Sequence, residues 1–405
     1  MAGTATSQDR VPLSGTRWAL AGFFVSGLLL SFTGSILPAW GHHLRSDYLT
    51  IAGYFLSLAA GILISLRLAQ VLLSAKGIGF VLTCGCASGC AAILFLAAVG
   101  PPTQAGWRML GLATMGGAAG LLQSAIFQAI SPMYVLDRAS AVNLAGALLG
   151  GGCLAMALLV AGTFYVYTVP SILVLVAAIP GLFAVAYAVK RYPGHPLAQQ
   201  VSIREGLAQV HSPLAVLLAL LLLFQFGNEW AMAGWLPLFL VQRLGLSPER
   251  SLELLALYWV ALISGRVVAQ SALARISHAK LLFSSAVVAV FGALVLAVTD
   301  NRFGGVAGVI LIGAAWAPIY PLVIEKIGGS FSYYHPGLFN GIFSLAFGGA
   351  LLAPSSLGVV ASIWGIRAIM VVPVVGTIMV LGLVLAIWLQ ARLAEYYGKG
   401  RAVSP

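Results

Sequence analysis

The chain alternates between long apolar runs and short polar or charged connections. Twelve of the runs can each form a helix of about 20 residues, enough to cross the hydrocarbon core of a bilayer. The predicted spans, numbered 1 to 12 along the chain, are 18–41, 48–75, 79–99, 105–134, 139–163, 167–189, 213–241, 252–273, 280–299, 304–326, 337–361 and 367–391. The pattern predicts an all-α membrane protein with twelve transmembrane helices.

The longest polar connection divides these spans six and six. It contains the basic residues Lys190, Arg191 and Arg204, and basic connections of membrane proteins collect in the cytoplasm. We therefore predict three regions: an N-terminal six-helix half at 1–189, a cytoplasmic linker at 190–212 and a C-terminal six-helix half at 213–405.

An internal repeat supports this division. One offset of 197 residues relates positions in the first half to identical residues in the second: Gly116 to Gly313, Asn143 to Asn340, and Gly151–Gly152 to Gly348–Gly349. Several matches at one offset indicate a duplicated unit. We predict two pseudo-symmetric halves.

Composition narrows the class further. The 405 residues are 60% hydrophobic and 8% charged, against about 45–50% and about 25% in soluble domains. This balance excludes an ordinary water-soluble enzyme, a nucleic-acid binder and a disordered scaffold. The lipid bilayer is the expected environment.

The net charge of +11 is explained by topology. With both termini in the cytoplasm, all but six of the 21 Lys and Arg residues fall at cytoplasmic ends of spans, as the positive-inside rule requires. The six on the other side are Arg45, Arg108, Arg243, Arg250, Arg302 and Arg367. We expect cytoplasmic termini, and the compact chain with short loops favours a bacterial inner membrane.

Two six-span halves with a basic linker resemble the major facilitator superfamily over nearly the whole chain. That family carries a glycine, an acidic residue and a basic cluster after spans 2 and 8. Here Gly265 and Arg266 fit this motif and Arg67 echoes it, but Gln70 and Ala274 stand at the acidic position. The resemblance implies the family's fold, and the departure puts its usual gating salt bridge in doubt.

Glu229 is a carboxylate near the middle of span 7. A buried ionisable residue in a membrane is costly and is by default a functional candidate. Helical spacing places it on one stripe with Gln225, Asn228, Met232 and Trp235. Amides and a carboxylate suit hydroxyl groups, and an indole face suits C–H surface, so the stripe predicts a site for a sugar or similar solute. The alternative is a glutamate hydrogen-bonded to a neighbouring helix for packing.

The same segment resembles the fucose:proton symporter-like branch of the superfamily, which has a Gly-x-Glu stretch and a tryptophan about six residues after the glutamate. Gly227-Asn228-Glu229 and Trp235 fit this spacing, and 317–321 resembles the branch's aromatic–proline stretch. The branch also carries carboxylates in spans 1 and 4. Here those spans offer hydroxyl and amide groups, among them Thr33, Gln123 and Gln128. Glu229 is then the one midplane carboxylate left to carry a proton.

Span 10 contributes two aromatic candidates. Trp316 and Tyr320 are four residues apart, and Tyr320 is the repeat mate of Gln123. Because both lie away from the interfacial belts where membrane aromatics collect, we expect them to line a cavity. The alternative is that they face lipid or pack between helices.

Gating or structural roles are expected for five residues: Arg67, Asn143, Arg266, Glu325 and Asn340. Arg266 and Glu325 lie at similar levels in spans 8 and 10, which predicts a gate or bracing pair between them. The alternative is that Arg266 extends to the lipid headgroups.

The expected function is transport by alternating access, uphill or facilitative, of a small polar substrate, with proton coupling through Glu229 as a hypothesis. We expect a monomer without a cofactor, a metal or a nucleic-acid partner. The first alternative is a proton-coupled exporter of drugs or organic solutes, although the run from Gly146 to Gly152 lacks the proline usual in such exporters. A membrane-embedded enzyme is remote, because the sequence offers only isolated acids and the pair His42–His43, which we expect to be solvated.

Overall fold

A computed structural model describes residues 13–45, 47–136, 138–190, 192, 204, 210–330 and 336–401. It contains twelve helical segments long and apolar enough to cross a membrane, which confirms the predicted fold class. The first six are Leu13–Ile36, Tyr48–Lys76, Ile78–Ala98, Ala105–Leu136, Arg138–Thr163 and Val169–Val189. Spans 7 to 9 are Pro213–Leu244, Pro248–Leu273 and His278–Val298, and span 11 is Pro336–Trp364. Most of the predicted linker lies outside the described residues.

Spans 10 and 12 are not single helices. Span 10 consists of Arg302–Trp316 and Ile319–Ser330, and span 12 of a 3-10 turn, Ile366–Met370, followed by Val371–Arg401. The break in span 10 falls at Pro318, with Pro321 one turn further on. A proline has no amide hydrogen and collides with the preceding turn, so the sequence itself dictates the interruption.

Polar side chains start several spans. Ser212 accepts a hydrogen bond from the amide of Ala215 at 3.1 Å, and Asn301 accepts one from the amide of Gly304 at 2.8 Å. The first amides of a helix have no partner within the helix, and such caps satisfy them. These caps fix where spans 7 and 10 begin.

The two sets of six spans pack in the same pattern. Spans 1 and 5, 2 and 4, 3 and 4, and 3 and 6 are in contact, and so are their counterparts 7 and 11, 8 and 10, 9 and 10, and 9 and 12. This equivalence is the structural meaning of the 197-residue repeat.

The repeated glycines explain how the pattern is held. Gly152 lies against the carbonyl group of Phe24 in span 1, and its repeat mate Gly349 lies against the carbonyl group of Leu223 in span 7. In both places a Cβ atom would collide with the backbone of the neighbouring helix. Small residues at such crossings let helix backbones approach closely, so the same residue is required in both halves.

Gly116 and Gly313 form a second equivalent pair. Gly116 contacts the backbone of Leu58 in span 2, and Gly313 contacts the backbone of Tyr258 in span 8. The glycine matches seen in the sequence are therefore close helix contacts and not accidents of a glycine-rich composition.

Within the described residues, the largest contacts between the two sets of spans join span 1 with span 7, span 2 with span 11, and span 5 with span 8. Gly34 of span 1 lies against the backbone of Ala233 and Gly234 in span 7, and Gly150 of span 5 lies against Ile263 of span 8. The candidate site lies between these contacts.

Candidate functional site

The site is built around Glu229, halfway along span 7. Its side chain is buried, with 6% exposed, and its Oε1 atom accepts a hydrogen bond of 2.7 Å from Nε2 of Gln225, one helical turn away. Gln225 is completely buried, and its Oε1 atom has no hydrogen-bond partner. The pair presents a carboxyl and an amide oxygen side by side within the membrane interior.

Among the further buried polar atoms without a protein hydrogen-bond partner, six belong to uncharged side chains of spans 1, 8 and 10. They are the hydroxyl groups of Ser26, Thr33, Ser35 and Tyr258 and the indole N–H groups of Trp259 and Trp316. Buried polar groups are nearly always hydrogen-bonded in folded proteins, and each exception needs an explanation. Donors and acceptors on spans from both halves suit a polar solute that binds between the halves.

Arg266 of span 8 points into the seam between the halves. A Cβ atom at Gly146 of span 5 would collide with its guanidinium group, so the glycine makes room for it. Side chains tilt toward the N-terminus of their helix, which for span 8 leads away from the cytoplasm on the predicted topology. Arg266 is near enough for its charge to act electrostatically on Glu229, Tyr258 and the thiol of Cys153, without a direct hydrogen bond to any of them.

The predicted pair of Arg266 with Glu325 is wrong in this structure. Glu325 instead pairs with His278, at 2.7 Å, and both side chains are more than half exposed. The Nε atom of Arg266 is buried without a hydrogen-bond partner. Glu325 lies on the exposed face of the second part of span 10, after the helix break at Pro318, whereas Arg266 turns inward.

The predicted stripe on span 7 divides between two neighbours. Asn228 turns toward span 12, where its amide group lies 3.5 Å from the hydroxyl of Thr377, while Glu229 is reached by the charge of Arg266 on span 8. Consecutive helical residues point about 100° apart, so one stripe of this width faces two helices. Asn228 here packs within the second set of spans.

Trp235 lies away from Glu229, toward the end of span 7. Its indole N–H donates a hydrogen bond of 2.7 Å to the carbonyl of Pro354, and the rings of Tyr48 and Phe55 lie 6.3 and 6.0 Å from its own. In this structure the ring is covered by other rings, so it closes one side of the site.

The two aromatics of span 10 flank its break. Trp316 is completely buried, with its ring 6.4 Å from that of Tyr258. Tyr320 is partly buried, with its ring 5.1 Å from that of Phe226 in span 7. Discontinuous helices are a common feature of binding sites in transporter folds, and here the break separates the two rings.

The remaining predicted residues are placed as follows. Gln128 is buried, Gln123 is half-buried, and Arg67 is exposed. Asn143 is half-buried, with a buried Oδ1 atom that has no hydrogen-bond partner. The side chain of Asn340 lies outside the described residues.

The ends of the spans predicted to face outward are closed. The hydroxyl of Tyr48 donates to Oε1 of Gln242 at 2.9 Å, and Nε2 of Gln242 donates to the carbonyl of His43 at 3.2 Å. Gly358 of span 11 lies against the backbone of Tyr48 and against Ala52. We call these five residues the outer closure, because they join the first and second sets of spans.

His42, beside the outer closure, was expected to be solvated but is buried, with 6% exposed. Its ring lies edge-on to Tyr54 at 5.5 Å, and Arg108 donates to the hydroxyl of Tyr54 at 2.6 Å. Burial, reinforced by the charges of Arg108, Arg45 and His43 and opposed by that of Asp47, lowers the pKa of His42 from 6.5 to about 4. The packed arrangement therefore holds His42 neutral.

Two residues of the site escaped prediction from the sequence. Tyr258 and Trp259 of span 8 are buried, with polar atoms that have no partner. They are mid-span aromatics like Trp316 and Tyr320, and the same argument from the interfacial belts would have identified them.

The sequence matches no family model and no curated protein. Among solved structures, a mutant of the nucleoside transporter NupG aligns with a TM-score of 0.67 at 14% identity, covering 92% of this chain and 99% of that one. The major facilitator superfamily transporter FucP in its outward conformation aligns with a TM-score of 0.59 at 16% identity, over 92% and 98%. A second structure of FucP, the fucose:proton symporter of E. coli, gives 0.60 at 15%, over 93% and 99%.

The chain therefore has the major facilitator fold, as its sequence led us to expect. With twelve apolar helices in this arrangement, it is an integral membrane protein. Its similarity to FucP agrees with the branch resemblance of span 7 at the level of the fold.

Proposed function

We propose that the protein is a secondary transporter that moves a small polar solute, a sugar in the first instance, by alternating access. This proposal rests chiefly on Glu229, whose carboxyl group is buried halfway along span 7 and is hydrogen-bonded to Gln225. An ionisable group in the membrane interior is costly in free energy, so it is by default a functional candidate. Polar solutes bind near the midplane between the repeats of transporter folds.

The chemistry of the site suits a polyhydroxylated solute. Gln225 and Glu229 offer acceptors, Trp259 and Trp316 offer N–H donors, and Thr33 offers a hydroxyl from the first half. Binding sites of this kind combine apolar and aromatic walls with a few convergent polar groups. The neighbours in structure are named as carriers of fucose and of nucleosides, both of which contain a sugar ring.

Alternating access requires one end of the site to open while the other is closed. The outer closure is one such gate, held by a short hydrogen-bond chain from Tyr48 through Gln242 to His43. Rocking of the halves, 1–189 against 213–405, about the contacts between span pairs 2–11 and 5–8 would break it and open the site outward. Arg67, Asn143, Asn340 and Glu325 remain candidates for the opposite end.

Glu229 would carry the coupling proton. We place the protein, as a monomer, in a bacterial inner membrane with both termini and the linker 190–212 in the cytoplasm. The basis is the distribution of Lys and Arg. Energy would come from an ion gradient, without catalysis or a bound cofactor.

The test is uptake of a radiolabelled hexose panel into proteoliposomes, with and without an inward proton gradient. We expect one hexose to accumulate when the gradient is present. Glu229→Gln should lose this accumulation but keep exchange of labelled for unlabelled sugar, because the amide keeps a hydrogen-bonding group and cannot release a proton. Glu253→Gln, at an exposed glutamate of span 8, is the matched control and should behave as wild type.

Accumulation that persists in Glu229→Gln would contradict the coupling role. Uptake that only equilibrates in the wild type would make the protein a uniporter with Glu229 as a ligand. Efflux of lipophilic cations, with no transport of any polar solute in either direction, would favour the exporter instead.

A further inference from the structure

A second charged residue belongs to the same site: Arg266, for which the sequence predicted a gating or structural role. Arg266 turns toward the seam, where Gly146 leaves room for its guanidinium group, and its charge reaches Glu229. The two residues do not form an ion pair, and Nε of Arg266 is buried without a hydrogen-bond partner. An arginine remains charged under all ordinary conditions, so the site holds a fixed positive charge in the membrane.

The levels of these residues agree with a shared site. At a rise of about 1.5 Å per residue, Glu229 lies about 22 Å below the outer end of span 7 and Arg266 about 27 Å below that of span 8. Tyr258 lies about 15 Å below the same end, and its buried hydroxyl has no hydrogen-bond partner. From the outer side inward, the hydroxyl of Tyr258, the carboxyl group of Glu229 and the cation of Arg266 therefore follow one another through the middle of the membrane.

The separation of the two charges matters. A carboxylate and a guanidinium that only braced the fold would be expected in direct contact, because a buried pair is stabilised chiefly when its geometry is close and its hydrogen bonds are complete. Here the carboxyl group bonds to Gln225 and the guanidinium leaves a donor open. A solute with an acidic group at one end and hydroxyl groups at the other would satisfy both sites. Its acidic group would accept from the guanidinium of Arg266, and its hydroxyl groups would bond to Gln225 and Glu229.

The net charge of the site determines whether such a solute is transported together with a proton. In the empty carrier an ionised Glu229 and Arg266 sum to zero. When an anion binds to Arg266 and a proton binds to the Glu229 carboxylate, the sum is again zero. The two half-loaded forms carry one net charge, positive with the proton alone and negative with the anion alone. A net charge in the low-dielectric interior is expensive, so those forms reorient poorly.

From this geometry, and resting on the proposed function, we propose that the substrate is a polyhydroxylated carboxylate, a sugar acid. Arg266 binds its acidic group, Glu229 and Gln225 bind its hydroxyl groups, and one proton travels with each anion. The proton is taken up by the Glu229 carboxylate on one side of the membrane and released from it on the other. Net transport is therefore electrically neutral.

The experiment compares matched neutral and acidic sugars in proteoliposomes. The probes are radiolabelled D-glucose with D-glucuronate, and D-galactose with D-galacturonate, which differ only at C6. Uptake is driven either by a pH gradient with the membrane potential clamped to zero by valinomycin and potassium, or by a membrane potential without a pH gradient. We expect at least one hexuronate to be taken up at least tenfold faster than its hexose, driven by the pH gradient and unaffected by the potential.

Variants then assign the recognition to Arg266. Arg266→Gln should lower the affinity for the hexuronate at least tenfold, and Arg266→Lys should restore part of it by keeping the charge. Arg302→Gln, at an exposed arginine where span 10 begins, is the control and should leave this affinity unchanged. The dependence of wild-type uptake on the pH gradient and the potential tests the proposal even if Arg266→Gln fails to fold.

Transport of hexoses with equal or slower transport of hexuronates would overturn this inference while leaving the proposed function in place. Hexuronate uptake that responds to the membrane potential would overturn the charge balance. Transport of neither class would overturn both proposals.

Discussion

The two sets of six spans share their packing but not the charges at their centre. Gly152 and Gly349 make the same backbone contact in each. Equivalent glycine contacts match Phe24 with Leu223 and Leu58 with Tyr258, however, so the counterparts of Glu229 and Arg266 are Leu30 and Leu66, which carry no charge. A close backbone crossing tolerates one residue type, so it is retained in both halves. A side chain that faces the site is free to change, and only the second half acquired the charges.

The largest expected effect concerns the charges that break this symmetry. Leaving one member of a buried charge pair alone costs about 3–5 kcal/mol. Glu229 and Arg266 are not in contact, so we expect Glu229→Gln to cost less than this, about 2–3 kcal/mol, which is the contribution of a hydrogen bond to a charged group such as the one from Gln225. Arg266→Gln should cost less, because a carboxyl group left alone can bind a proton whereas an arginine cannot lose one.

The measurement is the free energy of unfolding in mixed detergent micelles. The double variant Glu229→Gln with Arg266→Gln should recover part of the loss, because it leaves no uncompensated charge. Strict additivity of the two single effects would show that the charges are not coupled.

The second prediction tests the shared packing. Gly152→Ala and Gly349→Ala each place a Cβ atom against a backbone carbonyl, and overpacking of this kind costs about 1–3 kcal/mol. We expect the two losses to be similar, measured by the same unfolding assay. Gly348→Ala is the control, since nothing lies within 4 Å of its Cβ position. A loss in one half only would break the equivalence of the halves.

The third prediction concerns the outer closure, where pH should act through His42. In an opened state His42 regains a pKa near 6.5 and binds a proton as the pH falls, whereas in the packed state its pKa is about 4. The closed state should therefore lose about 1.4 kcal/mol for each pH unit below 6.5, down to about pH 4. Above pH 7 the histidine is neutral in both states and should have no effect.

This is measured by labelling Ala52→Cys, which is covered in the closed state, with a membrane-impermeant thiol reagent, normalised to the exposed Arg302→Cys. Labelling should rise from pH 7 to pH 5. His42→Gln should remove the dependence, and His211→Gln, at an exposed histidine, should retain it. A pH dependence that survives His42→Gln would assign the effect to another group.

The smallest expected effect is that of Tyr48→Phe, which removes the hydrogen bond to Gln242. One such bond contributes about 1 kcal/mol net. Labelling of Ala52→Cys at pH 7 should rise by the corresponding factor of about five, while Tyr165→Phe, at an exposed tyrosine, should leave it unchanged. Equal labelling in both would mean that the ring contacts alone hold the outer closure.

Hydropathy and the repeat were sufficient to predict the fold. The apolar runs located the twelve spans because their length is set by the bilayer. The 197-residue offset located glycines such as Gly116 and Gly313 that the packing requires. Hydropathy and the repeat can both be read from the sequence without knowing how each helix is rotated about its own axis.

The arrangement of the site depends on how each helix is rotated about its axis and on which side chains of neighbouring helices meet. A single sequence contains neither kind of information. Helical spacing put Asn228 and Glu229 on one stripe, although they face different helices. Similar levels in the membrane suggested Glu325 as the partner of Arg266, although His278 from span 9 takes that place. His42 follows a span end, where solvation is usual, but is covered by Tyr54.

The most direct test of the central claim is proton movement caused by the solute. Proteoliposomes containing a trapped pH-sensitive dye would receive the hexoses and hexuronates in turn, without an imposed gradient. We expect wild type to acidify the interior when a transported solute is added, and Glu229→Gln to cause no acidification although it still exchanges the labelled solute. Acidification by Glu229→Gln equal to that of wild type would contradict the assignment of Glu229 as the proton carrier.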